Sequence, residues 1–557
     1  MKKNVGLIID SPIVSRYIAD LIDLSKNSEH YQITTLIINA NAQKQRSNIK
    51  ILSLYIRQKG LRRLLRSIAF KIVVKTESIF LKRNARFRRF FEKVHLAESN
   101  FTTILVDPEI SRNGLIYRYS EKDINAIKRL NLNLLIRGGS GILKGEILNI
   151  CPNGVISFHH ADNAINRGGP PAFWEVYERN ARTGFVIQRL TEELDGGSIL
   201  YRGAIATSWF YSMNLARLYE ITNPFLHQVL NELTSEFSKS TPHRRAPYSY
   251  RLYTTPDLFQ VSIYIMKTLS LLGAKVFRKS LGRARRWNVA YQHSESWQDV
   301  TLWRSKKIKN PKDRYLADPF IVEKDGDHYC FVEDFDCRNG KGRIAAYKIA
   351  PSGYQSLGVV LEEDFHLSYP FIFRYEDEFF MCPETHKKGE IRLYKCTDFP
   401  QQWTFESTIF KNITAADTNI FEHDGRWWMF ANVDGSVVED LSCQLHIFSS
   451  ESPISDKWEP HAKNPVIFDS KTARNGGMIL DDGEVYRVFQ RQGFDTYGEA
   501  CGVAKITHLS DTEYREEILC TIEPKFFDSI KGVHTFNYDS GIVAFDYATM
   551  GKAKSVN

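Results

Sequence analysis

The second half of this chain repeats one short pattern, and this repeat constrains the fold more than any other feature of the sequence. Each copy is an apolar stretch, an acidic or glycine-containing turn and an aromatic stretch, a combination typical of a β-hairpin. The copies begin at residues 318, 369, 417, 475 and, more weakly, 533. Spacings of 48 to 58 residues in all-β sequence are typical of propeller blades, and five copies predict five blades. Residues 290–557 are therefore predicted to form an all-β, five-bladed propeller.

The first half has a different pattern, in which apolar, β-rich runs alternate with stretches of helical periodicity. Runs of this kind are residues 4–10, 31–39, 132–139, 154–160 and 183–190. Strands that alternate with helices predict a mostly parallel sheet covered on both faces. Residues 1–235 are therefore predicted to form an α/β domain with a Rossmann-like sheet.

The two predicted domains are joined by a segment of mixed character, residues 236–289. The polar, proline-containing residues 238–249 indicate a linker, and the apolar residues 258–277 indicate a helix. We expect a linker followed by a helix that docks the two halves.

Length and composition favour two or more domains in a globular protein. A chain of 557 residues exceeds what one core normally supports, and 43% apolar with 25% charged residues is ordinary. No apolar run approaches the roughly 18 residues of a spanning helix. The first run ends at Asp10, too early for a signal peptide. The eight cysteines form no CxxC pair, so reduced thiols are expected. These features predict a cytoplasmic protein with no metal.

Positive charge is concentrated in one region. Residues 44–93 contain sixteen Lys or Arg against two acidic residues, whereas the whole chain carries a formal charge of +9. Apolar residues recur at helical spacing between Leu61 and Ile72, among Arg62, Arg63 and Arg66, which predicts a basic amphipathic helix. Such a helix can present a solvated face, contact an anionic membrane peripherally or bind a polyanion. No motif for specific nucleic-acid recognition accompanies it, and oligomer formation stays open.

Three segments of the first half follow one another at the spacing of a known enzyme family. They are LLIRGGSGILKGEIL (residues 134–148), ISFHHADNAINRGGPPAFW (residues 156–174) and TEELDGGSIL (residues 191–200). Together they resemble the catalytic core of the folate-dependent formyltransferases, which include methionyl-tRNA, glycinamide ribonucleotide and sugar N-formyltransferases.

This resemblance implies a catalytic site. His159 matches the family's catalytic histidine and Asp195 its catalytic aspartate, whereas Ser157 stands where the family has asparagine. In the family an amine attacks the formyl carbon of 10-formyltetrahydrofolate, the asparagine and histidine stabilise the oxyanion, and the aspartate orients the histidine. The implied cofactor is therefore 10-formyltetrahydrofolate. The residues expected to line its site are Gly138, Gly139, Gly141 and Leu194.

The chemistry of these residue types fits that role. An imidazole titrates near neutrality and can both give and take a proton. A hydrogen-bond donor aimed at an oxyanion commonly contributes about 3 kcal/mol. Ser157 carries one donor on a shorter arm than asparagine, and His160 or Asn163 could supply the missing donor. A structural role for His159 and Asp195 in a packed core is the alternative.

The loop after His159 is expected to contact the acceptor. Asp162 and Asn163 are polar where the family has apolar residues, which fits a sugar amine, a different donor or a fold that has lost the reaction. We expect His159 and Asp195 at the carboxyl ends of neighbouring strands, since parallel sheets place ligands there. The residues predicted to bind substrate are His160, Asp162, Asn163, Arg167 and Gly168.

Acidic residues recur at matching places in the repeats of the second half. Asp318 and Asp417 stand at the start of two copies, and Glu384 ends the second stretch of another. The motifs ADPF, PET and ADT resemble the N-terminal domain of the glucosamine inositolphosphorylceramide transferases and, more distantly, five-bladed glycoside hydrolases. Two carboxylates can act as acid and base in glycoside chemistry. They can equally bind sugar hydroxyls or cap turns, and all three interpretations stay open.

Together these observations predict formyl transfer from 10-formyltetrahydrofolate to an amino sugar in surface-polysaccharide biosynthesis, with the propeller as an accessory domain. The alternative is a glycan-processing or glycan-binding protein whose site lies in the propeller, at Asp318, Glu384 and Asp417. In that case the formyltransferase-like domain is inactive or uses another donor. The expected partner in either case is an amino sugar or a glycan.

Overall fold

The protein consists of two compact units. The computed structural model describes residues 2–40, 61–112, 114–235 and 247–552. The first unit comprises Met1–Leu269 with Ser436–Val438, and the second comprises Ser270–Gly435 with Glu439–Asn557. The division at residue 269 falls inside the segment predicted as linker and helix, of which residues 236–246 lie outside the described ranges. None of the helices in these ranges combines the length and hydropathy needed to cross a bilayer.

A seven-stranded sheet forms the centre of the first unit. From one edge to the other its strands are Ser198–Ala206, Arg182–Arg189, Val155–His159, Leu134–Arg137, Lys3–Ile9, Tyr31–Asn39 and Thr102–Val106. The last five run parallel to one another, and the first two pair antiparallel. The central strands are almost fully buried, as the apolar runs of a covered parallel sheet require. The predicted mixed α/β region is confirmed.

The part of the chain that the structure describes contains six α-helices. They are α1 Arg16–Asn27, α2 Leu61–Leu81, α3 Glu121–Lys128, α4 Phe173–Glu178, α5 Tyr211–Thr234 and α6 Leu258–Ser280. In α1 the residues Tyr17, Leu21 and Ile22 are buried on one face, which is the pattern of an amphipathic helix packed on a core. At the start of α3 the hydroxyl of Ser120 accepts a hydrogen bond from the amide of Asp123, a typical N-terminal cap.

Short strands complete the first unit around the sheet. Ile13–Ser15 pairs with Lys93–His95, and Arg167–Gly168 pairs with Leu252–Tyr253. A third small sheet contains Glu109–Ile110, Ile116–Arg118 and Ile142–Lys144. Short 3-10 helices span Ala85–Phe91, Glu98–Asn100 and Glu146–Asn149.

The second unit is built from five antiparallel sheets, so the predicted β-rich region is confirmed. Sheet 1 contains Arg314–Lys324, Asp327–Asp336, Lys341–Ala350 and Gly353–Leu361. Sheet 2 contains Ser368–Tyr375, Glu378–Glu384, Glu390–Asp398 and Gln402–Lys411. Sheet 3 contains Ala415–His423, Arg426–Val433, Gln444–Ser450, Glu459–Pro460 and Ile467–Phe468. Sheet 4 contains Asn475–Asp481, Glu484–Gly493, Thr496–Leu509 and Tyr514–Ile522. Sheet 5 contains Lys306–Ile308, Arg283–His293, Ile542–Lys552 and Phe536–Asp539.

A two-residue turn joins the first hairpin of each repeat, and both turn residues have positive φ. The turns are Asp325-Gly326, Glu376-Asp377, Asp424-Gly425, Asp482-Gly483 and Ser540-Gly541. Positive φ at both positions is the type I′ geometry that matches the twist of a β-hairpin, and Asp-Gly is its preferred sequence. The acidic-glycine turns of the repeats therefore have a direct conformational cause.

The five sheets also contact one another in order. One edge strand of each sheet touches an edge strand of the next, in the series Arg314–Lys324, Ser368–Tyr375, Ala415–His423, Asn475–Asp481 and Phe536–Asp539. The last of these strands contacts the first. In sheet 5, residues that precede the four other sheets in sequence pair with residues that follow them.

Candidate functional site

His159 is the last residue of the strand Val155–His159, and the fold fixes the roles of its two ring nitrogens. Nε2 lies 3.1 Å from the backbone oxygen of Asn166. Because a carbonyl oxygen only accepts, Nε2 must carry a proton and donate it there. Nδ1 faces the carboxylate of Asp195, with 3.5 Å to Oδ1. In the neutral ring, Nδ1 is therefore the basic nitrogen.

Asp195 lies in the loop between the antiparallel strands Arg182–Arg189 and Ser198–Ala206. Its φ of 48° is in the left-handed region, which non-glycine residues rarely adopt. Its Oδ2 accepts a hydrogen bond of 3.0 Å from the amide of Gly168. Asp195 follows the carboxyl end of the strand beside that of His159 and lies close to it, as expected, but that strand runs antiparallel, so the parallel-sheet reason for this expectation was wrong. The loop instead brings the carboxylate to the imidazole.

Arg137 is a functional candidate that sequence reasoning missed. It ends the strand next to that of His159, and its Nη1 lies 3.5 Å from Ser157 Oγ. Nε and Nη2 both donate to the carbonyl of Gly141, which fixes the guanidinium. Burial lowers the pKa of Arg137, while the negative charges of Asp195 and Asp10 oppose that shift. The signal in the sequence was a charged residue ending a buried apolar strand.

Ser157 is buried, and its hydroxyl hydrogen-bonds to groups of the protein. The hydroxyl donates to the carbonyl of Phe158 at 3.3 Å and accepts from Arg137. A hydroxyl has one proton, so it cannot donate to Phe158 and to a substrate oxygen at the same time. At this position the guanidinium of Arg137 is therefore the stronger available donor.

His160 is stacked between two aromatic rings. Its ring centroid lies 4.2 Å from that of Phe158 and 3.8 Å from that of Tyr219. Burial lowers its pKa well below the usual value, and the positive charges of His159 and Arg137 act in the same direction. His160 is therefore uncharged near neutrality, and its role in substrate binding stays a prediction.

The loop that follows His159 is tied to the Asp195 segment by hydrogen bonds. Asn163 Nδ2 donates to the carbonyl of Asp195 at 3.0 Å, and Arg167 Nε donates to the carbonyl of Asn163 at 2.9 Å. Asp162 Oδ1 accepts from the amide of Ala164 and lies 3.6 Å from an Arg202 nitrogen. These contacts position the loop, so contact of these residues with substrate stays a prediction.

The glycines after Arg137 pack against the protein itself. A Cβ atom on Gly139 would lie 2.8 Å from Asp10 Oδ1, and one on Gly141 would lie 2.5 Å from the ring of Tyr117. Gly138 is similarly confined by Leu7, at 3.0 Å. The need for glycine here has a structural cause, and Leu194 is half-buried in its loop. The role of these residues at a cofactor stays a prediction.

In the second unit, buried acidic residues from several sheets interact. We call this set the carboxylate cluster; its members are Asp318, Glu333, Glu384, Asp417 and Asp546. Asp318, Tyr369 and Asp417 have φ values of 49°, 48° and 50° at β-bulges in sheets 1, 2 and 3. Strained left-handed residues of this kind concentrate at functional sites.

Arg474 lies between two members of the cluster. Its Nε lies 2.7 Å from Asp417 Oδ2, and its Nη2 lies 3.7 Å from Glu384 Oε2. Burial would raise the pKa of Glu384, but His386 and the charge of Arg474 outweigh it and lower the pKa to about 2. Burial raises the pKa of Asp417 well above its usual value although Arg474 opposes it, and the charge of Glu384 adds to the rise.

Asp318 and Asp546 are bridged by His534. The ring lies 3.4 Å from Asp318 and 2.5 Å from Asp546, and it stacks on Trp287 at 3.7 Å. The structure thus brings the predicted residues Asp318, Glu384 and Asp417 into one cluster. Sequence reasoning missed Arg474, His534 and Asp546. Arg474 directly precedes the fourth copy of the repeat, which starts at residue 475, and His534 is the second residue of the fifth copy, which starts at residue 533.

One family model matches most of the second unit. The family model for the N-terminal part of glucosamine inositolphosphorylceramide transferase 1 matches residues 283–541. The match falls on the five sheets and includes every member of the carboxylate cluster except Asp546. The resemblance expected for this half of the chain is confirmed.

Particular relatives carry the same name. The glucosamine inositolphosphorylceramide transferase 1 of Arabidopsis thaliana is 36% identical over 233 residues, which are 40% of this chain and 30% of the plant protein. The chain spans about a third of the length of the curated relatives it matches.

Solved structures are similar to one half or the other. A family 117 glycoside hydrolase from Zobellia galactanivorans has a TM-score of 0.31 at 11% identity, over 47% of this chain and 90% of that protein. A sugar N-formyltransferase from Shewanella sp. FDAARGOS_354 has a TM-score of 0.28 at 16% identity, over 48% of this chain and 88% of that protein.

Proposed function

We propose that the protein transfers a formyl group to the amine of a sugar during glycan assembly, with His159 as general base. One observation carries the proposal: the imidazole of His159 lies 3.5 Å from the carboxylate of Asp195, and the half-buried guanidinium of Arg137 interacts electrostatically with the same carboxylate. Acyl transfer to an amine needs a base for the amine proton and donors for the developing oxyanion. The residues beside His159 supply both.

The positions of His159, Asp195 and Arg137 give each of them a separate role in the proposed reaction. 10-Formyltetrahydrofolate would supply the formyl carbon. As the amine nitrogen bonds to that carbon, Nδ1 of His159 takes the proton that the nitrogen loses. Asp195 faces the resulting imidazolium and stabilises its charge. Arg137 donates toward the oxygen that gains the carbonyl electrons, and the proton held by His159 can then pass to the departing nitrogen.

The fit to a formyl donor rests on the polar residues. Arg137 and His159 offer a donor and a base on adjacent strands, as a carbonyl carbon under attack requires. Gly138, Gly139 and Gly141 do not add to this support, because Leu7, Asp10 and Tyr117 explain their close packing. The chemistry of the polar residues and the resemblance of the motifs are the two supports for the proposed donor.

An amino sugar is the acceptor that agrees with both halves of the chain. The relatives of the second unit are named for glucosamine, a sugar that carries an amine. Formyl transfer requires such an amine as nucleophile. The name of these relatives therefore agrees with an amino sugar as the acceptor of the proposed reaction.

For the second unit we propose a closed five-bladed propeller that holds the carbohydrate. Two observations support closure: edge strands contact one another in a ring, and both ends of the unit pair within sheet 5. A cavity of about 410 Å³ is lined by residues from the same edge strands, among them Phe320, Phe371 and Ile420. A second candidate function is that this unit binds or processes a glycan, and the carboxylate cluster is the observation that favours it.

We further propose peripheral contact with an anionic membrane. The large apolar side chains Phe259, Met266, Leu269, Val276 and Phe277 of α6 are exposed along one face. Exposed Arg278 and Lys279 lie at the end of the same helix. In α2 the apolar Ile72 and Ile79 are exposed beside Lys71 and Lys75, whereas the structure describes the backbone at 62, 63 and 66 and not the predicted basic side chains. Apolar faces flanked by cations suit an anionic lipid surface.

Binding of the donor can be tested by thermal unfolding of the intact protein. A folate present at 100 times its dissociation constant should stabilise the folded state by about 2.7 kcal/mol. We expect 10-formyltetrahydrofolate or its stable analogue 5-formyltetrahydrofolate to raise the midpoint of the first unit's transition. Nucleotide-linked amino sugars should raise it too, and their acetylated forms should do so less. A panel without any folate effect would contradict the proposed donor.

A further inference from the structure

A buried glutamate lies behind the loop that contacts His159. Glu175 is the third residue of α4, between the apolar Trp174 and Val176, and it is 5% exposed. Its Oε1 accepts a hydrogen bond of 3.0 Å from Nδ2 of Asn166. The backbone oxygen of Asn166 in turn lies 3.1 Å from Nε2 of His159. Asn166 therefore connects Glu175 to the proposed general base.

The pair formed by Glu175 and Asn166 is costly for the fold. Burial raises the pKa of Glu175 above its usual value, the charge of Asp162 adds to the rise, and the bond from Asn166 opposes it. Among the described residues, Oε2 of Glu175 and Oδ1 of Asn166 have no hydrogen-bond partner, although both atoms are buried. Polar groups left half-satisfied in a core stabilise a fold less than apolar groups of similar size. Their presence is typical of residues that serve a functional site.

His159 lies between two acceptors that compete for one proton. A neutral imidazole has a single N–H, and the oxygen of Asn166 lies 3.1 Å from Nε2 whereas Oδ1 of Asp195 lies 3.5 Å from Nδ1. Because a carboxylate is the stronger acceptor, Asp195 favours the tautomer with the proton on Nδ1. That tautomer has no basic nitrogen on the side of Asp195. The closer carbonyl of Asn166 favours the proton on Nε2, so the position of this carbonyl decides the tautomer.

We infer that Glu175 is a positioning residue for His159: by holding Asn166, it keeps the carbonyl at Nε2 and keeps Nδ1 available as the base. The effect on the tautomer rests on the hydrogen bonds, whereas the effect on the rate rests on the proposed function. The segment of residues 166–168 also donates from the amide of Gly168 to Oδ2 of Asp195, at 3.0 Å. A shift of this segment would therefore disturb both members of the pair His159 and Asp195.

The segment has other anchors, which should preserve the fold when Glu175 is replaced. The amide of Asn166 donates to the carbonyl of Asp162 at 2.8 Å, and the amide of Arg167 donates to the hydroxyl of Tyr248 at 3.1 Å. These bonds fix the two amides and do not involve the side chain of Asn166. Loss of the bond to Glu175 should therefore move the carbonyl while the loop stays folded.

The test reads the tautomer of His159 in the intact protein, labelled with nitrogen-15 histidine, from the NMR shifts of the two ring nitrogens. H159A assigns the signals. We expect the neutral ring of the unmodified protein to carry its proton on Nε2. E175M removes the acceptor of Asn166 and should move the proton toward Nδ1, whereas E175Q retains an acceptor oxygen and should leave it on Nε2. E29M, at an exposed glutamate in the loop after α1, is the matched control and should leave the tautomer unchanged.

Formyl transfer provides a second measurement. E175M should lower kcat by about 10- to 100-fold with a smaller change in KM, because the base is misplaced while the substrate contacts remain. E175Q should restore most of kcat. N166A removes the same bond from the other side, and the double variant E175M/N166A should lose no more than either single variant. N166A also replaces E175M in both measurements should E175M unfold.

A neutral His159 that keeps its proton on Nε2 in both E175M and N166A would overturn the inference. Equal effects of E175M and E175Q would overturn it as well, because a retained acceptor would then make no difference. A lower unfolding temperature of E175M with an unchanged tautomer would give Glu175 a structural role only. Failure of the proposed function is seen separately, as missing formyl transfer by the unmodified protein, and the tautomer of His159 is measured without that reaction.

Discussion

Among single residues, Arg137 has the most consequences for the proposed chemistry. The hydroxyl of Ser157 carries a single proton, which it donates to the carbonyl of Phe158 at 3.3 Å. The guanidinium beside it is held by two bonds to Gly141 and keeps a donor directed at Ser157. A rigid, charged donor is better suited to an oxyanion than a rotating hydroxyl. In the proposed reaction, Arg137 would therefore supply the donor that an asparagine supplies in the formyltransferases.

Replacement of Arg137 by methionine should remove this donor. We expect R137M to lower kcat by about 10²- to 10³-fold, as loss of one oxyanion donor does, with a smaller change in KM. R129M, at an exposed arginine at the end of α3, is the matched control and should be unchanged. Steady-state kinetics of formyl transfer provide the measurement.

An equal loss in kcat and in the midpoint of thermal unfolding would point to a structural role for Arg137 instead. An unchanged kcat in R137M would show that Arg137 does not act as an oxyanion donor. S157N would then become the informative variant, since an asparagine should maintain or raise activity if the family donor is needed there.

At the scale of elements, sheet 4 has a buried ion pair. Arg487 is fully buried, and its Nε and Nη2 lie 2.7 and 2.6 Å from the two carboxylate oxygens of Glu516 on another strand of the sheet. R487M would remove the cation beside Glu516 and leave the hydroxyl of Tyr514 as a donor to its carboxylate. We expect a loss of about 3–5 kcal/mol in the free energy of unfolding of the second unit, measured by calorimetry.

Lys505 and Glu484 form a matched pair on the same sheet, 2.8 Å apart but partly exposed. K505M should leave the unfolding midpoint nearly unchanged, because water screens such pairs. If R487M and K505M destabilise the unit equally, burial does not determine how much each ion pair contributes to the free energy of unfolding.

The apolar face of α6 gives another prediction for an element. Replacement of Met266 and Phe277 by glutamate removes two exposed apolar groups and adds negative charge. We expect this double variant to lose flotation with vesicles that contain anionic lipid, whereas L519E, at an exposed leucine of sheet 4, should still float. Unchanged flotation of the α6 variant would leave its exposed face without a membrane role.

For the whole molecule, the sequence predicted the features that depend on residues close to one another in the chain. The repeats predicted β-hairpins because turns such as Asp325-Gly326 require positive φ, and this requirement is visible in the residues themselves. The motif spacing predicted that His159 and Asp195 belong together, and they lie 3.5 Å apart.

The remaining features depend on contacts between distant parts of the chain. Thr535 bonds to Asp318 across 217 residues, and no local pattern indicates which residue of sheet 5 meets which residue of sheet 1. The order of the strands decided that Arg137 faces Ser157 and that the partner strand of His159 is antiparallel. Such pairings could not be predicted from spacing alone.

The most direct test of the account is detection of the product. The purified protein would be incubated with 10-formyltetrahydrofolate and nucleotide-linked amino sugars, and the sugars analysed by mass spectrometry. We predict a formamide in the unmodified protein and none in H159A or D195N, both of which should unfold at nearly the same temperature as the unmodified protein. An unmodified protein that binds the amino sugar yet forms no formamide, or an H159A variant that forms it at the same rate, would contradict the account.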